Sequence, residues 1–146
     1  MKDHGEENIR LLKSFYEAVS RGEAGPARSM LDANVEWIEP NVPGLWFSGA
    51  HRGAEAVWNE VFAPAGERID KFRVKMKKFY ALGDHVIAFG HIHGRVRTTA
   101  KQLDAATGQI CTIRNGKIVR VERFHDAESW LEPLGLVHLE AQRLAA

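Results

Sequence analysis

Gln109-Ile110-Cys111-Thr112-Ile113-Arg114-Asn115-Gly116-Lys117-Ile118-Val119-Arg120-Val121-Glu122-Arg123-Phe124-His125-Asp126 is the stretch whose reading decides the fold. An apolar run, Ile110 to Ile113, meets Arg114-Asn115-Gly116-Lys117. A second strand follows from Ile118 to Phe124. Two registers are open. Asn-Gly suggests a two-residue type I′ turn, which sets Ile110 and Thr112 beside Val119, Val121, Arg123 and His125. A three-residue loop with Gly116 as a left-handed bulge sets Gln109, Cys111 and Ile113 beside them instead. Ile110, Thr112, Ile118, Arg120, Glu122 and Phe124 then share the opposite face. The second register sorts apolar from mixed residues better, and register follows the buried face, so it is the expected one. Gln109, Arg123 and His125 then face the core, where an unpartnered polar group costs on the order of a few kcal/mol.

The segments before the hairpin are helices and further strands. Ile9, Leu12, Phe15, Tyr16 and Val19 repeat at helical spacing, with Gly22 as a stop. Pro26 opens a short second helix. Val35 to Glu39 alternates as a strand and ends at Pro40. The loop from Asn41 to His51 carries Leu45, Trp46 and Phe47, too apolar for an idle surface loop, so it is expected to fold over something. A third helix is predicted from about Ala54 to Phe62, ended by Pro64 and Gly66. Phe72, Val74 and Met76 alternate with basic residues, and Val86 to Arg97 is another strand. Asp126 is a good N-cap for a helix through Leu131. A polar tail helix, Val137 to Leu144, is peripheral. Helices followed by an antiparallel meander read as α+β.

A length of 146 residues suits one domain. The formal net charge of +1 argues against a general polyanion binder, so no nucleic-acid partner is expected. The alternating basic run from Arg68 to Lys78 reads as a solvated strand face. No apolar run approaches a membrane span. The single cysteine, Cys111, excludes an internal disulfide and fits a reducing, cytoplasmic compartment. It reads as a small core residue.

Four features together resemble a known family: helices ahead of a strand ending in Glu39-Pro40, Arg52-Gly53 before a helix, the Asn115-Gly116-Lys117-Ile118 turn, and Phe124-His125-Asp126. They are similar to the SnoaL-like group of the nuclear transport factor 2-like superfamily, which includes ketosteroid isomerase. The resemblance spans about Glu7 to Gly135. It implies a cone: a strongly curved antiparallel sheet wrapped on N-terminal helices, a cystatin-like roll with a C-terminal helix and an interior pocket. It implies a homodimer through the outer sheet face, the three-residue hairpin loop, and Phe89, His91 and His93 turned inward. The isomerase base corresponds to Glu39. The isomerase tyrosine falls on Phe15, beside Tyr16, and its second acid falls on Gln109. His91, His93 and Tyr16 are similar in kind to the inventory of scytalone dehydratase.

Each candidate has a chemical rationale. Glu39 alternates with Trp37, so both face one way. A carboxylate beside an indole in an apolar cone is expected to have a raised pKa, suited to proton abstraction. His91 and His93 share a strand face with Phe89, although the opposite face, from Val86 to Val96, is the more apolar; inside, they would donate protons or hold an oxyanion. His-x-His is also a metal-ligand spacing, but no further ligands stand out, so no metal is expected. Arg123 wants a carboxylate, either Glu39, which would lower the pKa of that base, or an anionic substrate. His125 lies near the cone mouth. Phe15, Trp37, Trp46, Trp58, Phe62, Phe89, Cys111 and Val121 are candidate lining for a small apolar or aromatic ligand, with core filling as the plainer use of the aromatics. No nucleotide-binding glycine motif occurs. The expected function is a cofactor-free isomerase, cyclase or dehydratase with catalytic Glu39, His91, His93, Gln109 and Tyr16. The alternatives are a non-catalytic binding module and a structural dimer.

Overall fold

The computed structural model describes residues 4–136. The expected tail helix lies outside them. The first helix, α1 (Gly5–Ser20), buries Leu12, Phe15, Tyr16 and Val19, the stripe that its spacing prescribes. A short α2 (Ala24–Ser29) leads into β1 (Leu31–Glu39), which starts four residues before the predicted Val35. The loop after β1 ends in a short strand, β2 (Gly49–Arg52), that the sequence reading missed.

The third helical segment does not stop at Pro64. It passes from α3 (Ala54–Val57) through a π-helical turn (Trp58–Phe62) into α4 (Ala63–Arg68). Pro64 stands in the first turn of α4, directly after the π-helical turn. Then come β3 (Ile69–Leu82), β4 (His85–Val96), β5 (Gln102–Arg114), β6 (Lys117–His125) and α5 (Glu128–Leu131). The strand β5 begins seven residues before the predicted Gln109.

The strands form one curved, unclosed sheet in the order β2-β1-β6-β5-β4-β3. Neighbours are antiparallel except β1 and β6, which run parallel. This α+β cone carries α1 on β3 and its core on the concave face. The edge strand β3 has two register breaks and a left-handed residue, Lys71, with φ 54°.

The hairpin tip differs from the expected three-residue loop. Arg114 pairs with Lys117 around Asn115 and Gly116, whose φ values of 52° and 71° are both positive, as a type I′ turn requires. The extra residue sits further along: Ile113 pairs with Ile118 and Thr112 with Arg120, so Val119 is the bulge. Ile118 therefore turns inward, with no exposed surface, and Val119 leaves the inner set. Beyond the bulge, Gln109 pairs with Arg123 and Cys111 with Val121, all four buried, in the facing expected of them.

The β4 face is the reverse of what the resemblance implies. Val86, Ala88, Ile92 and Val96 are buried, while Phe89 is 49% exposed on the outer face. Alternation puts His91 and His93 outside with Phe89. The more apolar side took the core, as burial energy demands.

Candidate functional site

The parallel pairing of β1 with β6 builds the centre of the cone. Trp37 pairs with Val121, and two residues on, Glu39 and Arg123 emerge on the same inner side. Arg123 Nη1 lies 3.2 Å from Glu39 Oε2, with side-chain exposures of 2% and 0%. Trp37 Nε1 donates to the same oxygen at 2.7 Å. The other oxygen, Oε1, meets His125 Nε2 at 2.7 Å. On the far side of the imidazole, Nδ1 faces Thr107 Oγ1 at 3.2 Å. Both oxygens of the carboxylate are thus engaged, by groups from three directions.

This surrounding decides between the two expectations for Glu39, in favour of the Arg123 pair and against a raised pKa. Burial does push its carboxyl up, but the Arg123 guanidinium and the His125 and Trp37 hydrogen bonds outweigh it, so the group is held below the usual carboxylate range. Burial and the neighbouring Arg123 hold the His125 imidazole below its ordinary value, against the pull of Glu39. The site at rest is a carboxylate beside a guanidinium and a neutral imidazole.

A second polar pair lies alongside. The Tyr16 hydroxyl donates to Gln109 Oε1, and burial raises the Tyr16 phenol above its ordinary value. Gln109 Nε2, Arg123 Nε and Trp130 Nε1 are buried without a hydrogen-bond partner. Cys111, beside Val121, has its thiol pushed up to about 12 by burial.

Aromatic rings fill the rest. Phe15, Trp37 and Phe62 pack with centroid separations of 5.3 to 5.9 Å. Trp58 is partly buried at the edge, 6.1 Å from Phe62. The loop between β1 and β2 closes the mouth. Phe47 packs 5.0 Å from His125 and 4.8 Å from Trp130, and Trp46 lies 5.7 Å from Trp130. The expectation that this loop covers something is met: it covers His125.

Of the sequence candidates, Glu39, Gln109, Tyr16, Phe15, Trp37, Phe62, Cys111, Val121, Arg123 and His125 gather inside the cone, with Trp46 and Trp58 at its margins. His91, His93 and Phe89 do not. His91 Nδ1 pairs with Asp104 at 2.7 Å on the outer face, and the two imidazoles stack. The open cavity there, of about 590 Å³, is lined by Tyr80, Phe89, His91 and Phe124 and reaches Thr107 and His125, but not Glu39 or Arg123. Sequence reasoning missed Thr107 and Trp130. Thr107 becomes visible once the register sets it opposite His125. Among the described residues, no three His, Cys, Asp or Glu side chains are arranged to hold a metal ion. No helix among them is long and apolar enough to cross a membrane.

The model of the SnoaL-like domain matches residues 12–121. The chain belongs to that family. The SnoaL-like fold recurs in solved structures. An NTF2-like protein of Burkholderia thailandensis is 24% identical, with TM-score 0.77, over 87% of this chain and 96% of that one. TerC, co-crystallised with polyporic acid, is 22% identical, with TM-score 0.78, over 88% and 98%. A Catenulispora acidiphila protein with a ketosteroid isomerase-like fold, in complex with trimethylamine, is 16% identical, with TM-score 0.74, over 86% and 92%. At these identities the likeness is one of fold. No curated protein matches the chain in sequence.

Proposed function

We propose that this SnoaL-like protein binds a small, planar, partly apolar molecule at the Gln109–Arg123 pair inside the cone, through an oxygen acceptor on the ligand, with the aromatic rings that fill the interior parting to admit it. The observation behind this reading is the pair of unpartnered donors, Gln109 Nε2 and Arg123 Nε, on cross-strand neighbours among aromatic walls. A core built only for packing has no use for such groups, each costing about 1–3 kcal/mol unpaired. A carbonyl or carboxylate oxygen placed between them would satisfy both. TerC co-crystallised with polyporic acid and the Catenulispora protein in complex with trimethylamine are small-molecule complexes of this fold, which supports small-ligand binding.

The test is an NMR titration with aromatic carboxylates and cyclic enones, read at the Trp37 and Trp130 indole N–H signals. Binding should shift both, and Gln109→Leu should weaken it by about tenfold, the worth of one buried hydrogen bond. Titrants that leave both indoles unmoved would refute the interior site.

A second reading adds chemistry of the isomerase, cyclase or dehydratase type. What favours it is an ionised Glu39 in a dry interior, joined to a neutral His125 that can move a proton. Because both Glu39 oxygens are occupied, the ligand must displace Arg123 or His125 before Glu39 can act as a base. Glu39→Gln should then abolish conversion of a bound ligand while leaving its binding measurable; undiminished conversion would exclude Glu39 as the base. His91 and His93 have no part in either reading. The homodimer through the outer sheet face belongs to the same proposal, supported by exposed Phe89, Ile110 and Phe124 there. A reducing cytoplasm suits the free thiol of Cys111.

A further inference from the structure

The basic run on β3 is not one uniform solvated face. Asp70 pairs with Arg95 and Arg73 with His93, so Lys71 and Phe72 together oppose the single residue Gly94. A Cβ at Gly94 would stand 2.3 Å from Ile69 Cγ2 and 3.1 Å from the Asp70 carbonyl oxygen, so glycine makes room for this bulge. Bulges re-aim side chains and recur beside active sites. Lys71 holds a left-handed backbone, φ 54°, without being glycine, and residues held in that way cluster at functional sites. Alongside the bulge, between the end of α1 and the π-helical turn, lies a cavity of about 340 Å³. Its volume falls within the range of small-molecule sites. Trp58 and Phe62 reach it from the π turn, and Phe72 reaches it from the bulge. A π turn is itself frequent at functional sites.

Four cations line the same cavity, Arg21, Lys71, Arg73 and Arg97, and among the described residues no Asp or Glu does. In a chain with 20 basic and 19 acidic residues, that is a local excess of positive charge. Two of the heads are fixed by groups without net charge. Arg73 Nη1 donates to the Ser20 carbonyl at 2.9 Å, at the end of α1, and Arg97 Nη2 donates to the Gly66 carbonyl at 3.4 Å. The nearby carboxylates compensate little. Asp70 Oδ1 lies 3.6 Å from Arg97 and Glu23 Oε1 lies 4.0 Å from Arg21, and both are about half exposed. Lys71 has no ion-pair partner among the described residues.

We infer that this cavity is a binding site for a small aromatic oxyanion, with its ring against Trp58 and Phe72 and its charge among Lys71, Arg73 and Arg97. A neutral ring would leave the cations unused, and a bare anion would leave the aromatic faces unused. Phe62 separates the cavity from the cone. It lines the cavity on one side and packs against Phe15 and Trp37 on the other. The site therefore stands apart from the Gln109–Arg123 pair and does not rest on that reading.

The experiment is an NMR titration of the full chain with phenylphosphonate, inorganic phosphate and benzamide. It is read at the Trp58 indole N–H, identified by its loss in Trp58→Phe. Phenylphosphonate should shift that signal saturably, with a midpoint below about 1 mM, and leave the Trp37 and Trp130 indoles in place. Inorganic phosphate and benzamide each offer one half of the recognition and should bind about tenfold more weakly. Lys71→Asn removes a charge and keeps a residue that accepts the left-handed backbone. It should weaken phenylphosphonate binding about fivefold, the upper end for one exposed ion pair, and Arg97→Gln should do the same. Both positions are exposed, so neither variant disturbs the core. A Trp58 signal unmoved by phenylphosphonate would overturn the site. Equal affinity for either simpler probe would overturn the aromatic oxyanion as its ligand, and undiminished affinity in both variants would overturn the part given to the cations. Shifts at Trp37 and Trp130 without Trp58 would place the probe in the cone, overturning this site and leaving the interior one standing.

Discussion

His125 Nε2 stands 2.7 Å from Glu39 Oε1, and neither side chain is more than 2% exposed. Both groups have folded-state pKa values below their ordinary ones. In each case the unfolded chain takes up a proton at a higher pH than the folded chain, so acidification costs stability. The contribution from His125 is complete above its ordinary value of 6.5 and is lost as pH falls through its folded pKa. That from Glu39 is complete above 4.5 and is lost further down. Urea midpoints measured across this range should fall in two steps. His125→Gln should remove the upper step, and a profile still showing it would assign that step to another group.

Arg123 is the cation that keeps Glu39 ionised at no exposure. Arg123→Met leaves a buried carboxylate without its charge partner and should cost about 3–5 kcal/mol, measured by urea unfolding. Adding Glu39→Gln should recover part of that loss, because the uncompensated charge is gone. Strictly additive effects would mean that the two side chains are not coupled.

Cys111 is fully buried, with its thiol pushed up to about 12. It should resist an aromatic disulfide reagent at neutral pH and react promptly in denaturant. Rapid labelling of the native protein would show that this part of the cone opens readily.

Gly90 has a steric reason to be glycine. A Cβ there would lie 2.0 Å from the Lys75 carbonyl oxygen and 2.6 Å from Met76 Cα, both backbone atoms of the neighbouring strand. Gly90→Ala should cost about 3 kcal/mol, the upper end of ordinary overpacking, read as a lowered thermal midpoint. A loss under about 1 kcal/mol would show that β3 gives way freely.

Much of the fold was legible in local periodicity. The stripe of α1 and the shared facing of Trp37 and Glu39 follow from spacing, and the inward set Gln109, Cys111, Val121 and Arg123 from spacing together with the sorting that chose between two registers. The hairpin tip did not, because the Val119 bulge changes the apolar phase within one strand, and a single period cannot describe both halves. The first half of β5 was hidden by small and charged residues such as Asp104 and Ala105. For β4, the plain apolar count favoured the correct face, and the family resemblance pointed to the wrong one. Of the two states open to Glu39, raised by burial or lowered by Arg123, local spacing did not choose. The partner that ties its second oxygen, His125, lies 86 residues away, so only the tertiary pairing of β1 with β6 sets the balance between burial and charge.

The edge strand β3 bears on how copies of this chain meet during folding. It is fourteen residues long and, among the described residues, has no strand paired along one side, a length that invites another strand to add to it. Its two register breaks, the left-handed Lys71 and the solvent-facing Lys75, Lys77 and Lys78 all spoil that template. The opposite edge, β2, is only four residues long. Both borders of the sheet are therefore poor nuclei for fibrillar aggregation.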